Sequence, residues 1–258
     1  MTKLKTKNPI KNLPARQPGQ SSREKADKIF EDGFLPYLLA VAFTFIIAML
    51  EWFKAYSKAP PQPKTFTAIF VLVLLFAVRK AFKTVKAFRQ VKLGELGEQA
   101  VGQMLDEKLR PMGCQVFHDI LADTFNVDHF VVGPMGLFCI ETKTHRKPAK
   151  GDSRVILNGD SVTINGFTPD RDPIVQAKAE ARWMSDLIEQ STGKRFPVQP
   201  ILVYPGWYVE TTRPNANVWV LNETVTPTFI KNSRSIVAPE DVSLITFHLK
   251  RYVISKDK

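Results

Sequence analysis

Asn126-Val-Asp128-His-Phe-Val-Val-Gly133-Pro-Met-Gly136-Leu-Phe-Cys-Ile-Glu141-Thr-Lys143 consists of two apolar runs on either side of Gly-Pro-Met-Gly. Proline pre-sets the backbone for the second position of a type I turn and glycine is favoured at the fourth, so Pro134 and Gly136 predict a tight hairpin. A symmetric turn there pairs Val132 with Leu137, Phe130 with Cys139 and Asp128 with Glu141. Residues opposite one another in an antiparallel ladder point to one face, with Cβ atoms roughly 4.5–5.5 Å apart. Side chains alternate along a strand, so Lys143 joins that face. Two carboxylates facing each other among apolar strands repel and need an offsetting charge. A divalent cation is the natural candidate, since carboxylate oxygens suit Mg²⁺, Mn²⁺ and Ca²⁺. Lys143 is placed to hold a phosphate or an attacking water.

Outward from the hairpin the pattern is globular. Leu96, Ala100, Val101, Met104, Leu105 and Leu109 form a helical stripe over Glu95–Leu109. Cys114–Ile120 reads as a strand, and Val155–Leu157 and Val162–Ile164 as a short hairpin through Asn158-Gly159-Asp160. Pro173–Glu189 is a helix with proline in its first turn, Pro197–Tyr204 and Val218–Leu221 are strands, and Thr226–Lys231 and Ala238–Tyr252 are closing helices. This order predicts an α/β domain with a mixed central sheet flanked by helices. The expected segments are 94–222 for the domain and 223–258 for a C-terminal helical closing segment.

The N-terminal part differs. Residues 1–33 carry eight Lys/Arg, several prolines and almost no apolar periodicity, which predicts a basic disordered tail. Phe34–Phe53 is apolar except for Glu51 near one end, has Tyr37 and Trp52 near its ends, and has the length of a bilayer span. Thr65–Val78 is a shorter apolar run that reaches residue 82 if Arg79 and Lys80 snorkel. We read 34–53 and 65–82 as a transmembrane hairpin within 34–83; the other reading of the second run is a buried or interfacial helix. Residues 84–93 are expected as a basic linker. Lys and Arg cluster before the first span and after the second, which puts both termini in the cytoplasm of a multi-pass inner (cytoplasmic) membrane protein.

The formal charge of +11 invites a nucleic-acid reading of the whole chain, but it is unevenly placed. Residues 1–93 hold 17 Lys/Arg against 5 Asp/Glu, whereas 94–258 hold 19 against 20. A domain that grips DNA by overall charge is therefore excluded, and any contact must be local. Within 94–258 the local basic run is Arg146, Lys147 and Lys150, either a nucleic-acid contact or a solvated loop. Cys114 and Cys139 make no disulfide framework and read as buried thiols. His118, His129 and His145 lack metal-ligand spacing, His129 lies on the face opposite Asp128, and Trp183, Trp207 and Trp219 read as core. No phosphate-cradling glycine motif is present.

Taken together, Gly94-Glu-Leu-Gly97-Glu98, the Asn-Val-Asp-His strand, Gly-Pro-x-Gly-Leu-Phe, Glu-Thr-Lys-Thr and Pro173-Ile-Val-Gln176 resemble the NERD (nuclease-related) branch of the PD-(D/E)XK nuclease superfamily. Val127 stands where the superfamily name has proline. The resemblance implies a restriction-endonuclease-like fold and a divalent-metal-dependent phosphodiesterase, using Mg²⁺ or Mn²⁺. It implies Glu98, Asp128 and Glu141 as metal-binding carboxylates, Lys143 as the catalytic lysine and Gln176 as a supporting residue. The expected function is hydrolysis of DNA, in preference to RNA, on the cytoplasmic side of the bilayer, with a homodimer suited to cutting both strands of a duplex. The alternatives are a non-cleaving nucleic-acid-binding module and a protein scaffold tethered to the membrane.

Overall fold

The protein is described by a computed structural model covering residues 15–56, 61–148, 153–215, 217–234 and 236–256. The expected hairpin is its centre. Strands β2 (Asn126–Gly133) and β3 (Gly136–Thr142) pair in the anticipated register, Val132 with Leu137 and Phe130 with Cys139. Gly133 and Gly136 close the turn, and Gly136 takes φ +129°, a backbone that side chains rarely adopt. A Cβ on Gly133 would collide with the Cys114 sulfur, so glycine is needed there for contact as well.

β1 (Gln115–Leu121) adds antiparallel to β2, while β6 (Val198–Val203) and β8 (Trp219–Leu221) add parallel to β3, giving the order β1-β2-β3-β6-β8. Parallel neighbours need a crossover, and α4 (Pro173–Thr192) supplies the one from β3 to β6. Alternation then sorts the sheet into two faces. Val131, Phe138 and Ile140 pack with Val101, Leu105 and Leu109 of α3 (Pro63–Leu109) and with Ile230 of α5 (Thr226–Lys231). Phe130, Val132, Leu137 and Cys139 pack with Met184 and Ile188 of α4 and with Ile245 and Leu249 of α6 (Pro239–Lys256). Asp128 and Glu141 share the parity of this second set, so the sheet aims both at α4.

A second sheet, β5-β4-β7, is formed by β4 (Arg154–Asn158), β5 (Ser161–Ile164) and β7 (Tyr208–Arg213). β4 and β5 were expected. β7 was not; its partner β4 lies over fifty residues earlier in the chain, so no local turn marks it. Both cysteines are buried and free, Trp207 is buried, and Trp183 and Trp219 pack at the edges of the core.

The chain divides into two units, 21–93 and 94–258 with the first twenty residues. In the first unit the expected disorder of residues 1–33 is corrected: Gln20–Gly33 form helix α1. That stretch lacks proline and is rich in helix formers, and its Gly33 carbonyl accepts a hydrogen bond from Thr84 Oγ1 at 3.3 Å. Residues 1–14 lie outside the described residues. The segment 84–93 is also helical, since α3 runs unbroken from Pro63 to Leu109. α2 (Leu35–Tyr56) and the first part of α3 are each long and apolar enough to cross a membrane, and only 6% of the most apolar window of each is buried. A buried core helix is therefore not what residues 65–78 form.

Candidate active site

Asp128 and Glu141 are both buried at one end of the central sheet. The ladder runs to the pair His129 and Ile140, and its register carries Asp128 opposite Glu141. There Asp128 Oδ2 accepts a hydrogen bond from the Thr142 N–H at 2.8 Å, which fixes the carboxylate against the end of β3. Burial, then the charges of Glu141 and Glu98, push the Asp128 carboxyl well above its ordinary range.

Lys143 follows directly after β3, its N–H bonded to the Val203 carbonyl at 2.9 Å. Its ammonium donates to Glu141 Oε1 at 2.7 Å and to Gln176 Oε1 at 2.8 Å. Gln176 Nε2 donates to Glu141 Oε1 and to Glu180 Oε1, both at 2.8 Å. The start of α4 explains why Gln176 arrives there. Asp172 caps the helix, accepting from the N–H groups of Ile174 and Val175, and Pro173 occupies the first turn. Gln176 then falls on the face turned to β3.

Glu180 was not expected from the sequence. It lies one turn beyond Gln176, is buried, and burial followed by the Glu141 charge pushes its carboxyl up to about 9. Its signal was the i, i+4 Gln-Glu spacing, which marks one face of a helix without saying which face meets the sheet. Tyr204 at the end of β6 was also unanticipated: its hydroxyl is buried without a hydrogen-bond partner, and burial and the Glu141 charge raise its pKa.

Glu98, in the last part of α3, is buried, and its charge acts on Asp128. Gly97 beside it lets α3 pass close to the chain after β3, because a Cβ there would collide with Thr144. The structure thus brings Glu98, Asp128, Glu141, Lys143 and Gln176 to one end of the sheet. Arg146 and Lys147 lie exposed just beyond, and Lys150 is outside the described residues. His129 is on the opposite face as expected, its Nδ1 3.0 Å from His118 Nδ1.

The donor chemistry fits a hard divalent cation: all the acids offer oxygen, and Glu141 Oε2 and Glu180 Oε2 are buried with no hydrogen-bond partner. Among the described residues, no three His, Cys, Asp or Glu side chains are gathered as a ready-made ion-binding group. Glu141 Oε1 is instead shared by Lys143 and Gln176.

Residues 93–205 match the family model described as the nuclease-related domain, NERD. Comparison with curated proteins and with solved structures gave no match.

Proposed function

We propose that the nuclease-related domain at residues 93–205 is a divalent-metal-dependent phosphodiesterase acting on nucleic acid, DNA in preference to RNA, held at the cytoplasmic face of the inner membrane. The observation that carries this reading is the buried Glu141 carboxylate clamped by Lys143 and Gln176 beside a second buried carboxylate, Asp128. Acids packed this way oppose a phosphate unless a cation joins them. Asp128, Glu141 and Glu98 would hold Mg²⁺ or Mn²⁺. The bound ion would supply charge neutralisation at the phosphoryl oxygens and a more acidic water.

The chain's own groups supply the rest. Lys143 is a compact cation that orients the attacking water or a non-bridging phosphate oxygen. Gln176 holds the lysine in place through its amide oxygen while its amide nitrogen bridges Glu141 and Glu180. The buried wall of the site excludes bulk water and strengthens each of these interactions.

The membrane part of the reading rests on exposed apolar side chains: Leu39, Phe43, Leu72 and Leu75 are each 60% or more exposed in α2 and α3. Such surface suits a lipid environment. The concentration of Lys and Arg at Arg79, Lys80, Lys83, Lys86, Arg89 and Lys92 supports cytoplasmic termini.

The test is incubation of the full chain in detergent with labelled single- and double-stranded DNA and RNA, with Mg²⁺, Mn²⁺ or EDTA, beside Asp128→Ala and Lys143→Ala. Metal-dependent cleavage lost in both variants supports the proposal. No cleavage by a folded wild-type chain moves the reading to a non-cleaving nucleic-acid-binding or scaffold module.

A further inference from the structure

Beyond Lys143 the chain enters a groove of about 430 Å³ whose walls include His145, Arg146, Lys147, Asn165, Phe167 and Trp207. Among the described residues no Asp or Glu lines it, although residues 94–258 as a whole are close to neutral. The near wall is tied to the site: the Trp207 indole donates to the His145 carbonyl at 3.3 Å, and the His145 ring lies stacked 6.1 Å from Tyr204.

The far wall is a rigid turn. Ile164 and Phe167 exchange both backbone hydrogen bonds, at 2.8 and 3.0 Å. Between them Asn165 (φ +48°) and Gly166 (φ +81°) are both left-handed, the arrangement for which Asn-Gly is favoured in a two-residue turn. Asn165 is further held to Arg154, Asn165 N–H to the Arg154 carbonyl at 2.9 Å and Arg154 N–H to Asn165 Oδ1 at 3.0 Å. This braced turn presents Phe167 at 78% exposure, the most exposed Phe, Tyr or Trp described in residues 94–258.

We infer that this groove is a binding site for single-stranded nucleic acid, in which Phe167 stacks on an unpaired base while Arg146 and Lys147 hold the flanking phosphates. A ring on a braced turn loses little freedom when a base lies on it, and every base offers a π-face. Bases inside a duplex have both faces covered by their neighbours, so the platform reads only unpaired nucleotides. The groove's wall begins at His145, two residues after Lys143, and the His145 ring stacks on Tyr204, which feels the Glu141 charge, so the groove adjoins the buried carboxylates. The inference deepens the nuclease reading by naming the substrate class, but the binding event itself needs neither cation nor cleavage.

The test is fluorescence anisotropy of the full chain in detergent with EDTA present, using a labelled single-stranded DNA oligonucleotide and the same oligonucleotide in a duplex. The single strand should bind at least tenfold more tightly. Phe167→Ala should weaken single-strand binding by roughly 5- to 150-fold, and Phe167→Trp should retain it. The double variant Arg146→Gln/Lys147→Gln should lower the slope of log K against log salt by about 1.4. Equal affinity for the duplex, no single-strand binding, or unchanged binding by Phe167→Ala overturns the inference. Single-strand binding without cleavage in Mg²⁺ would sink the nuclease reading and leave this one standing. Cleavage of duplex and single strand at equal rates, unaffected by Phe167→Ala, would do the reverse.

Discussion

Gly97→Ala isolates the packing on which the site depends. Gly97 lies in α3, where alanine gains about 1 kcal/mol of helix propensity over glycine. Taken alone, that term predicts a more stable protein. The added Cβ would, however, collide with Thr144 Oγ1 and stand 2.9 Å from Thr144 Cβ and 3.0 Å from Thr144 Cγ2. Relieving such an overlap in a packed interior costs about 1–3 kcal/mol. Thr144 can give way only by moving the segment that carries Lys143, which is bonded to Val203 on one side and to Glu141 and Gln176 on the other. The sum is a net loss of about 0–2 kcal/mol, or a fall in melting temperature of up to about 8 °C for a domain of this size. Cleavage should fall further than stability does, because Glu98 and Lys143 flank the collision. The assay is thermal unfolding of the full chain in detergent, paired with single-turnover cleavage, for Gly97→Ala, Thr144→Gly and the double variant. The double variant should recover about 1–3 kcal/mol of coupling. A higher melting temperature for Gly97→Ala with no coupling to Thr144→Gly would refute the packing argument.

Gln176→Leu leaves Lys143, Glu141 and Glu180 each one hydrogen bond short and should lower kcat/KM by about 10- to 100-fold, measured by steady-state cleavage, with a loss of stability of about 1–3 kcal/mol read from the melt. With EDTA present, stability should fall as pH rises. The Glu180 carboxyl is raised from 4.5 to about 9, so the stability tied to its bound proton is present below the lower value and lost as pH climbs towards the upper. Thermal melts across that range should show the fall, with Glu180→Gln flattening it and Mg²⁺ opposing it. Cys114 and Cys139 are buried, with thiol pKa values raised by desolvation, to about 11 for Cys114, so a thiol reagent should label both only after denaturation, as read by intact mass. If the apolar start of α3 crosses the bilayer as proposed, Leu72→Arg should cost its insertion about 2.5–3.5 kcal/mol and shift part of the chain out of the alkali-resistant membrane fraction.

Features whose interactions are local could be read directly from the amino-acid order. Pro134 and Gly136 closed the turn, the turn set the register, and strand alternation placed Asp128, Glu141 and Lys143 together. The Pro173 helix start and the two long apolar runs were legible for the same reason: each is written in neighbouring residues. Helix α1 was missed because its charges masked a short proline-free helical stretch that leans on Thr84, far along the chain. β7 was missed because its partner β4 lies more than fifty residues away. Tertiary structure alone decided which face of α4 turns to the sheet, and so made Glu180 a buried neighbour of Gln176 and Glu141 while Lys178, two residues away, faces Asp160. It also set Phe167 across a groove from Arg146 and Lys147. A helix repeats its faces every few residues whatever surrounds it, and only the crossover that lays it on the sheet chooses which face is desolvated and which stays in water.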